Sequence, residues 1–198
     1  SQLISLINQA CKRWIAHPYD LIRSAIPPRV ASVDKGTTSR ASSSQAKSRK
    51  PGEVSYIHIQ PHGNAIAKTA EFALGKLKDG SVLLLVPEER ELQRLIEILG
   101  DRALVLSGSQ TRTDRYRNYL AILEGSKKLI IGTRSAIFAS PADLKTILVF
   151  REISESFYEP RTPGWNVRDL ALMRSELEGI DLYFAGYSPS SELAEKIA

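Results

Sequence analysis

Cysteine is almost missing from this 198-residue sequence, where Cys11 stands alone. One thiol forms no internal disulfide and assembles no cysteine-rich zinc site, so a reducing cytoplasm is the expected setting. Long apolar runs are missing too: none reaches the roughly 18 residues a transmembrane helix needs. The N-terminal Ser1 to Ile15 has no basic start, unbroken apolar block or small-residue cleavage site, so nothing marks it for export. The sequence also lacks an initial methionine, which points to a fragment or a processed chain. The three histidines, His17, His58 and His62, are scattered without ligand spacing. There is no Ser-His-Asp order, no pair of carboxylates in a common turn and no Rossmann glycine fingerprint, so acid–base and hydride chemistry have no support.

What is present is an ordinary globular composition, 42% hydrophobic and 25% charged, long enough for one domain with a small appendage. The net charge of +5 is unevenly spread. Residues 1–53 carry nine Lys and Arg against three Asp and Glu, whereas residues 54–198 carry 18 against 19. A basic arm joined to a nearly neutral domain can seek phosphates by releasing their counterions, or it can simply be a solvated linker.

Residues 1–33 show helical spacing at Leu3, Leu6, Ile7, Cys11, Trp14 and Ile15, then at Leu21, Ile22 and Ile26. His17-Pro18 ends the first helix, Asp20 caps the second and Pro27-Pro28 ends that one. So short a pair reads as the end of a domain lying mostly upstream. Residues 34–53, rich in Ser, Thr, Lys and Arg, read as a flexible basic linker. From 54 to 198 short apolar strands at Val54–Ile59, Ser81–Val86, Ala103–Leu106, Lys128–Ile131, Thr146–Phe150 and Leu182–Ala185 alternate with amphipathic helices. That alternation predicts an α/β domain, a parallel sheet with helices on both faces, whose ligands lie at the carboxyl ends of the strands.

The loop after the first strand runs Gln60-Pro61-His62-Gly63-Asn64-Ala65-Ile66-Ala67-Lys68-Thr69. Lys68-Thr69 sits where a phosphate-binding loop would place its Lys and Ser/Thr, but the two glycine positions hold His62 and Ala67. After the Thr146–Phe150 strand, where an NTPase holds magnesium with Asp and orients water with Glu, the chain reads Arg151-Glu152. A guanidinium repels a cation and cannot ligate it.

Leu83-Leu84-Leu85-Val86-Pro87-Glu88, Leu106-Ser107-Gly108, Gly132-Thr133-Arg134-Ser135-Ala136-Ile137-Phe138 and Val167-Arg168-Asp169-Leu170-Ala171 resemble, in order and spacing, the first helicase lobe of the PriA family of replication-restart proteins. Arg13-Trp14-Ile15-Ala16 through Pro27-Pro28 is similar to the family's connection out of its N-terminal DNA-binding domain. The resemblance implies a RecA-like lobe over residues 54–198. In the active family the first loop is a full P-loop, the pair after Phe150 reads Asp-Glu-x-His, and Gly186-Tyr187-Ser188-Pro189-Ser190 reads Gly-Ser-Ala-Thr-Pro. All three depart here, as in the degenerate PriA-like proteins of actinobacteria. The implied role is binding of forked or single-stranded DNA and primosome assembly with helicase-loading partners, without ATP hydrolysis or unwinding and away from membranes. No cofactor is expected in this chain, since ATP and magnesium lose their ligands and the family's zinc cysteines lie in a part not present here. Two alternatives stay open: an ATP-dependent 3′–5′ helicase with divergent motifs, and a protein-interaction module.

Gly63, Lys68, Thr69 and Glu152 are therefore the residues of a degenerate nucleotide site. Thr133, Arg134 and Ser135, in the turn after a strand, are candidate DNA-phosphate contacts, though Arg134 could instead tie the strand end to a neighbouring carboxylate. Lys47, Arg49 and Lys50 are candidate nonspecific contacts in the linker. Arg112, Arg115 and Arg117 with Tyr116 and Tyr119 could make a basic, aromatic surface for single-stranded DNA, but Tyr116, Leu120 and Leu123 share the apolar side of their helix, which leaves the arginines as a solvated face.

Overall fold

The computed structural model describes residues 2–34, 50–61 and 63–197. Helices α1 (Gln2–Trp14), α2 (Pro18–Ala25) and the single-turn α3 (Ala31–Asp34) precede a sheet-and-helix unit. That unit contains β1 (Val54–His58), α4 (Ala65–Lys76), β2 (Ser81–Leu85), α5 (Glu89–Leu99), β3 (Ala103–Leu106), α6 (Arg112–Glu124) and β4 (Leu129–Gly132). After a 3-10 turn at Arg134–Phe138 come β5 (Leu144–Phe150), the two-residue strands β6 (Tyr158–Glu159) and β7 (Trp165–Asn166), α7 (Val167–Glu178), β8 (Asp181–Gly186) and α8 (Ser191–Ile197).

Six strands form one sheet in the order β1-β8-β5-β2-β4-β3, and every neighbouring pair is parallel. Its centre is apolar on both faces because both are covered. Val82, Leu83, Leu84 and Leu85 of β2 have no exposed surface. Leu84, Ile131 and Leu148 pack under α4 and α5, while Leu83, Ile130 and Ile147 pack on the other face with α7. The six strands, and the helices between them, lie within a few residues of their sequence expectations. The antiparallel β6–β7 ribbon was not anticipated, since two-residue strands carry no period.

The N-terminal segment departs from expectation. Leu6, Ile7 and Ala10 of α1 and Leu21 and Ala25 of α2 are buried in the same cluster as Phe138, Trp165 and Leu170. The two helices thus pack part of their apolar faces on this sheet unit while Ile4 and Ile22 stay exposed, and that burial stabilises helices too short to persist alone. The cap of α2 also differs: His17 Nδ1 accepts from Tyr19 N at 3.2 Å, and Asp20 lies in the first turn.

One buried ion pair ties α7 to the turn after β4. The Arg174 side chain is 1% exposed. Its Nε and Nη2 donate to the two oxygens of Glu178 at 2.8 and 2.9 Å. Nη1 donates to the carbonyls of Ile137 and Ala139 at 2.7 and 2.9 Å. Gly132 completes the turn, because a Cβ there would stand 2.3 Å from the Leu106 carbonyl oxygen and 2.5 Å from Ala136 Cβ. Arg174→Met, which takes the guanidinium away from Glu178 and from two carbonyls, is expected to lower unfolding stability by about 3–5 kcal/mol. Urea titration followed by circular dichroism checks this, and the double substitution Arg174→Met, Glu178→Leu should recover part of the loss.

Candidate nucleic-acid interface

The carboxyl ends of the strands carry two loop clusters of different electrostatic character. The first surrounds the ends of β1, β5 and β8. Asn64 caps α4 by accepting from Ala67 N at 3.0 Å, so a backbone N–H that could face a phosphate is already satisfied. The Thr69 hydroxyl is buried and donates to the Ala65 carbonyl at 2.7 Å. Gly63 takes a positive φ of 135°, and a Cβ there would lie 3.6 Å from Lys68 Nζ. Lys68 and Thr69 line a cavity of about 350 Å³ together with His58, Gln60 and Phe72. Gly63, Lys68 and Thr69 are thus neighbours, as their spacing predicts, while His62 lies outside the described residues.

Arg151 occupies a left-handed conformation with φ of 53°. Its Nη1 lies 2.5 Å from Glu91 Oε1 and its Nη2 3.7 Å from Glu88 Oε1, so the guanidinium is paired with α5. Glu91 is 4% exposed, and its other oxygen accepts from Glu88 N at 3.2 Å, closing the helix start. Burial pushes the Glu91 carboxyl up, and the facing Arg151 guanidinium pulls it back in part. Glu152 is directed elsewhere. Its Oε1 accepts from Ser190 N at 2.7 Å, while Oε2, without a hydrogen-bond partner, lies 3.9 Å from Arg168 Nη1. Glu152 thereby links the end of β5 to the starts of α8 and α7. Beside it, the Tyr56 hydroxyl is pushed up to about 12 by burial and by the Glu152 charge.

The second cluster follows β4. Thr133, Arg134 and Ser135 line a cleft of about 660 Å³. Arg134 is held by internal partners: Nη1 donates to the carbonyls of Ser156 and Tyr158 at 3.3 and 2.6 Å, and Nη2 to Glu159 Oε2 at 2.9 Å. This is the carboxylate tie that its sequence position left open.

Helix α6 presents a different face from the one expected. Ile122 is buried and Leu123 is 45% exposed; Tyr116 is covered because its hydroxyl donates to Asp34 of α3 at 2.7 Å. Asn118 donates to the Val105 carbonyl at 2.9 Å, and Arg115, one turn earlier on that side, is half-buried and donates to Ser135 Oγ at 3.2 Å. Arg115 therefore belongs to the cleft and not to a solvated face, whereas Arg117 is exposed and paired with Asp114 at 2.6 Å. Sequence reasoning set Arg115 aside and missed Arg23 of α2 and Arg161 of the β6–β7 loop; all three line the cleft. Counting the α6 stripe from Ile122 would have found Arg115. Of the linker candidates, Lys50 is exposed and Lys47 and Arg49 lie outside the described residues. Among the described residues, no group of three His, Cys, Asp or Glu side chains is placed to hold a metal ion, and no helix is long and apolar enough to cross a membrane.

The chain is 27% identical over 218 aligned residues to the "Probable replication restart protein PriA" of Mycobacterium tuberculosis, a match covering 97% of this chain and 33% of that protein. It is 32% identical over 120 residues to the replication restart protein PriA of Synechocystis, covering 58% of this chain and 14% of that one. The chain is similar to the mycobacterial PriA proteins over nearly its whole length. It spans about a third of the length of the mycobacterial PriA proteins it matches. No protein-family model matches it. Among solved structures, the Escherichia coli DEAH/RHA helicase HrpB aligns with a TM-score of 0.50 at 20% identity, covering 76% of this chain and 21% of that one. The six-stranded sheet is therefore a RecA-like helicase fold, as the PriA resemblance implied.

Loss of the Arg151 counter-charge is expected to cost stability in a pH-dependent way. The folded-state value of Glu91 lies above the usual one, so burial favours the neutral carboxyl and the penalty appears as pH rises through that value. Arg151→Met should then destabilise by about 1–3 kcal/mol near neutrality, with a smaller deficit as pH is lowered toward about 4. Denaturant titrations of both proteins across that range measure it.

Proposed function

We propose that this chain is a DNA-binding part of the replication-restart machinery, a PriA-type first helicase lobe that recognises stalled forks and supports primosome assembly without hydrolysing ATP. The replication-restart role follows the PriA relatives; the absence of hydrolysis rests on the Arg151–Glu91 ion pair. A magnesium–nucleotide complex needs an anionic ligand after β5, free N–H donors at the start of α4 and an accessible hydroxyl oxygen there to ligate the metal. Here a guanidinium follows β5, the Ala67 N–H is taken by Asn64 and Thr69 is buried. The residues present do not suit that complex, and Glu152, the remaining acid, grips Ser190.

DNA contacts belong to the other cluster, with Thr133, Arg134 and Ser135 lining the cleft and Lys47, Arg49 and Lys50 adding nonspecific phosphate attraction from the linker. Forked DNA titrated by fluorescence anisotropy at two salt concentrations should show salt-sensitive binding that magnesium–ATP leaves unchanged. Replacing Lys47, Arg49 and Lys50 together by Gln should weaken it and make its salt dependence shallower. ATP-stimulated phosphate release would restore the helicase reading, and partner binding with no DNA affinity the interaction module.

A further inference from the structure

The cleft holds more positive charge than its internal partners use. Arg134 is paired with Glu159, and Arg161 Nε lies 3.7 Å from the same carboxylate. Arg115 has only the neutral Ser135 hydroxyl as its hydrogen-bond acceptor, and no ion pair includes Arg115 or Arg23 among the described residues. A half-buried guanidinium without a counter-ion is costly, and burial indeed holds Arg115 below its ordinary value. Trp165, on the same cleft, is 1% exposed, and its Nε1–H has no hydrogen-bond partner. A half-buried cation without a carboxylate partner on a concave surface calls for an anionic acceptor from outside.

We propose that the cleft between α2, α6 and the β6–β7 loop is a phosphodiester site for a single nucleic-acid strand, with Arg115 as its central ligand and Arg23 on the facing wall. This rests on the DNA-binding reading above and assigns it to residues outside the Thr133–Ser135 turn. Ser135 and Thr133 offer hydroxyl donors beside Arg115 on one wall, and α2 closes the other with Arg23 and Ser24. The Arg112 side chain turns away and donates to the Arg29 carbonyl at 3.0 Å, and Arg117 is taken by Asp114, so the remaining arginines of α6 do not compete for the role.

The test uses the full chain with a labelled oligo-dT strand and with forked DNA. Arg115→Gln should weaken oligo-dT binding about ten- to a hundredfold and reduce the salt slope by about one, as loss of a charge-assisted phosphate contact does. Ser135→Ala and Arg23→Gln should each weaken it about two- to tenfold, and Arg117→Gln should leave it unchanged. Arg115→Lys should restore part of the affinity, and thermal melts exclude a folding defect; should Arg115→Gln not fold, Arg23→Gln and Ser135→Ala decide the matter. Wild-type affinity in Arg115→Gln with fork binding intact would overturn this site and leave the DNA-binding reading standing. Competition by inorganic phosphate as effective as by the strand would overturn the strand assignment. Failure of the wild type to bind either DNA would overturn both readings.

Discussion

The buried guanidinium of Arg174 is the constraint on which the working surface depends. A fully desolvated cation must be matched on nearly every donor, and four contacts, two to Glu178 and two to main-chain carbonyls, meet that demand. Glu178 ends its helix, where the macrodipole disfavours an acid, and it lies four residues after its arginine, the less favourable order for a helical pair. Helix stability therefore does not account for the pair. What it accomplishes is to fix the carbonyls of Ile137 and Ala139, and so the turn that carries Thr133, Arg134 and Ser135. The same helix begins with Arg168, which faces Glu152, Ser190 and Glu192 within 3.9 Å. One helix thus sets the backbone after β4 at one end and gathers the ends of β5 and β8 at the other.

That shared scaffold makes the contrast between the two loop clusters informative. Where β1, β5 and β8 end, charge is consumed within the chain: Arg151 by Glu91 and Glu88, the Ala67 N–H by Asn64, the Thr69 hydroxyl by Ala65. Where β3 and β4 end, Arg115 has no carboxylate partner among the described residues, and a concave wall of low dielectric magnifies the field that remains. A nearly neutral domain can thereby present a locally positive cleft, because Arg23, Arg115, Arg134 and Arg161 line it against Asp20 and Glu159 alone among the described residues. Net charge was a poor guide to this division, and the position of each pair decides it.

Much of the fold was legible because its signals are local. The continuous apolar runs of β2, β4 and β5 specify strands buried on both faces, and Gly125 and Gly179, both left-handed, end α6 and α7 where the periodic pattern stops. What escaped depends on contacts between distant segments. The apolar stripe of α6 was placed on Tyr116, Leu120 and Leu123 because nothing nearby shows that Asp34 would bind the Tyr116 hydroxyl, leaving the inward side to Asn118 and Ile122. The docking of α1 and α2 was hidden for the same reason, since an amphipathic helix does not name the surface it will cover. In the candidate site, the Thr133–Ser135 turn follows from its position after a strand, whereas Arg23 and Arg161 join it only through the fold. Arg134 had two readings from sequence, and the carboxylate it is tied to is brought in by the β6–β7 ribbon, which no local signal announces.

The placement of α2 gives the N-terminal segment a mechanical meaning beyond that of a tether. An eight-residue helix has little stability of its own, so its position is set by Leu21 and Ala25 against the core. Its other side supplies Asp20, Arg23 and Ser24 to the cleft. Any anion held between α2 and α6 therefore binds only the docked arrangement, and by linkage it stabilises that docking as much as the docking favours binding. The segment after α2 is fastened as well: Asp34 accepts from Tyr116 and pairs with Arg29, whose carbonyl accepts from Arg112. The chain that follows α2 is thereby tied to α6, the helix that carries Arg115.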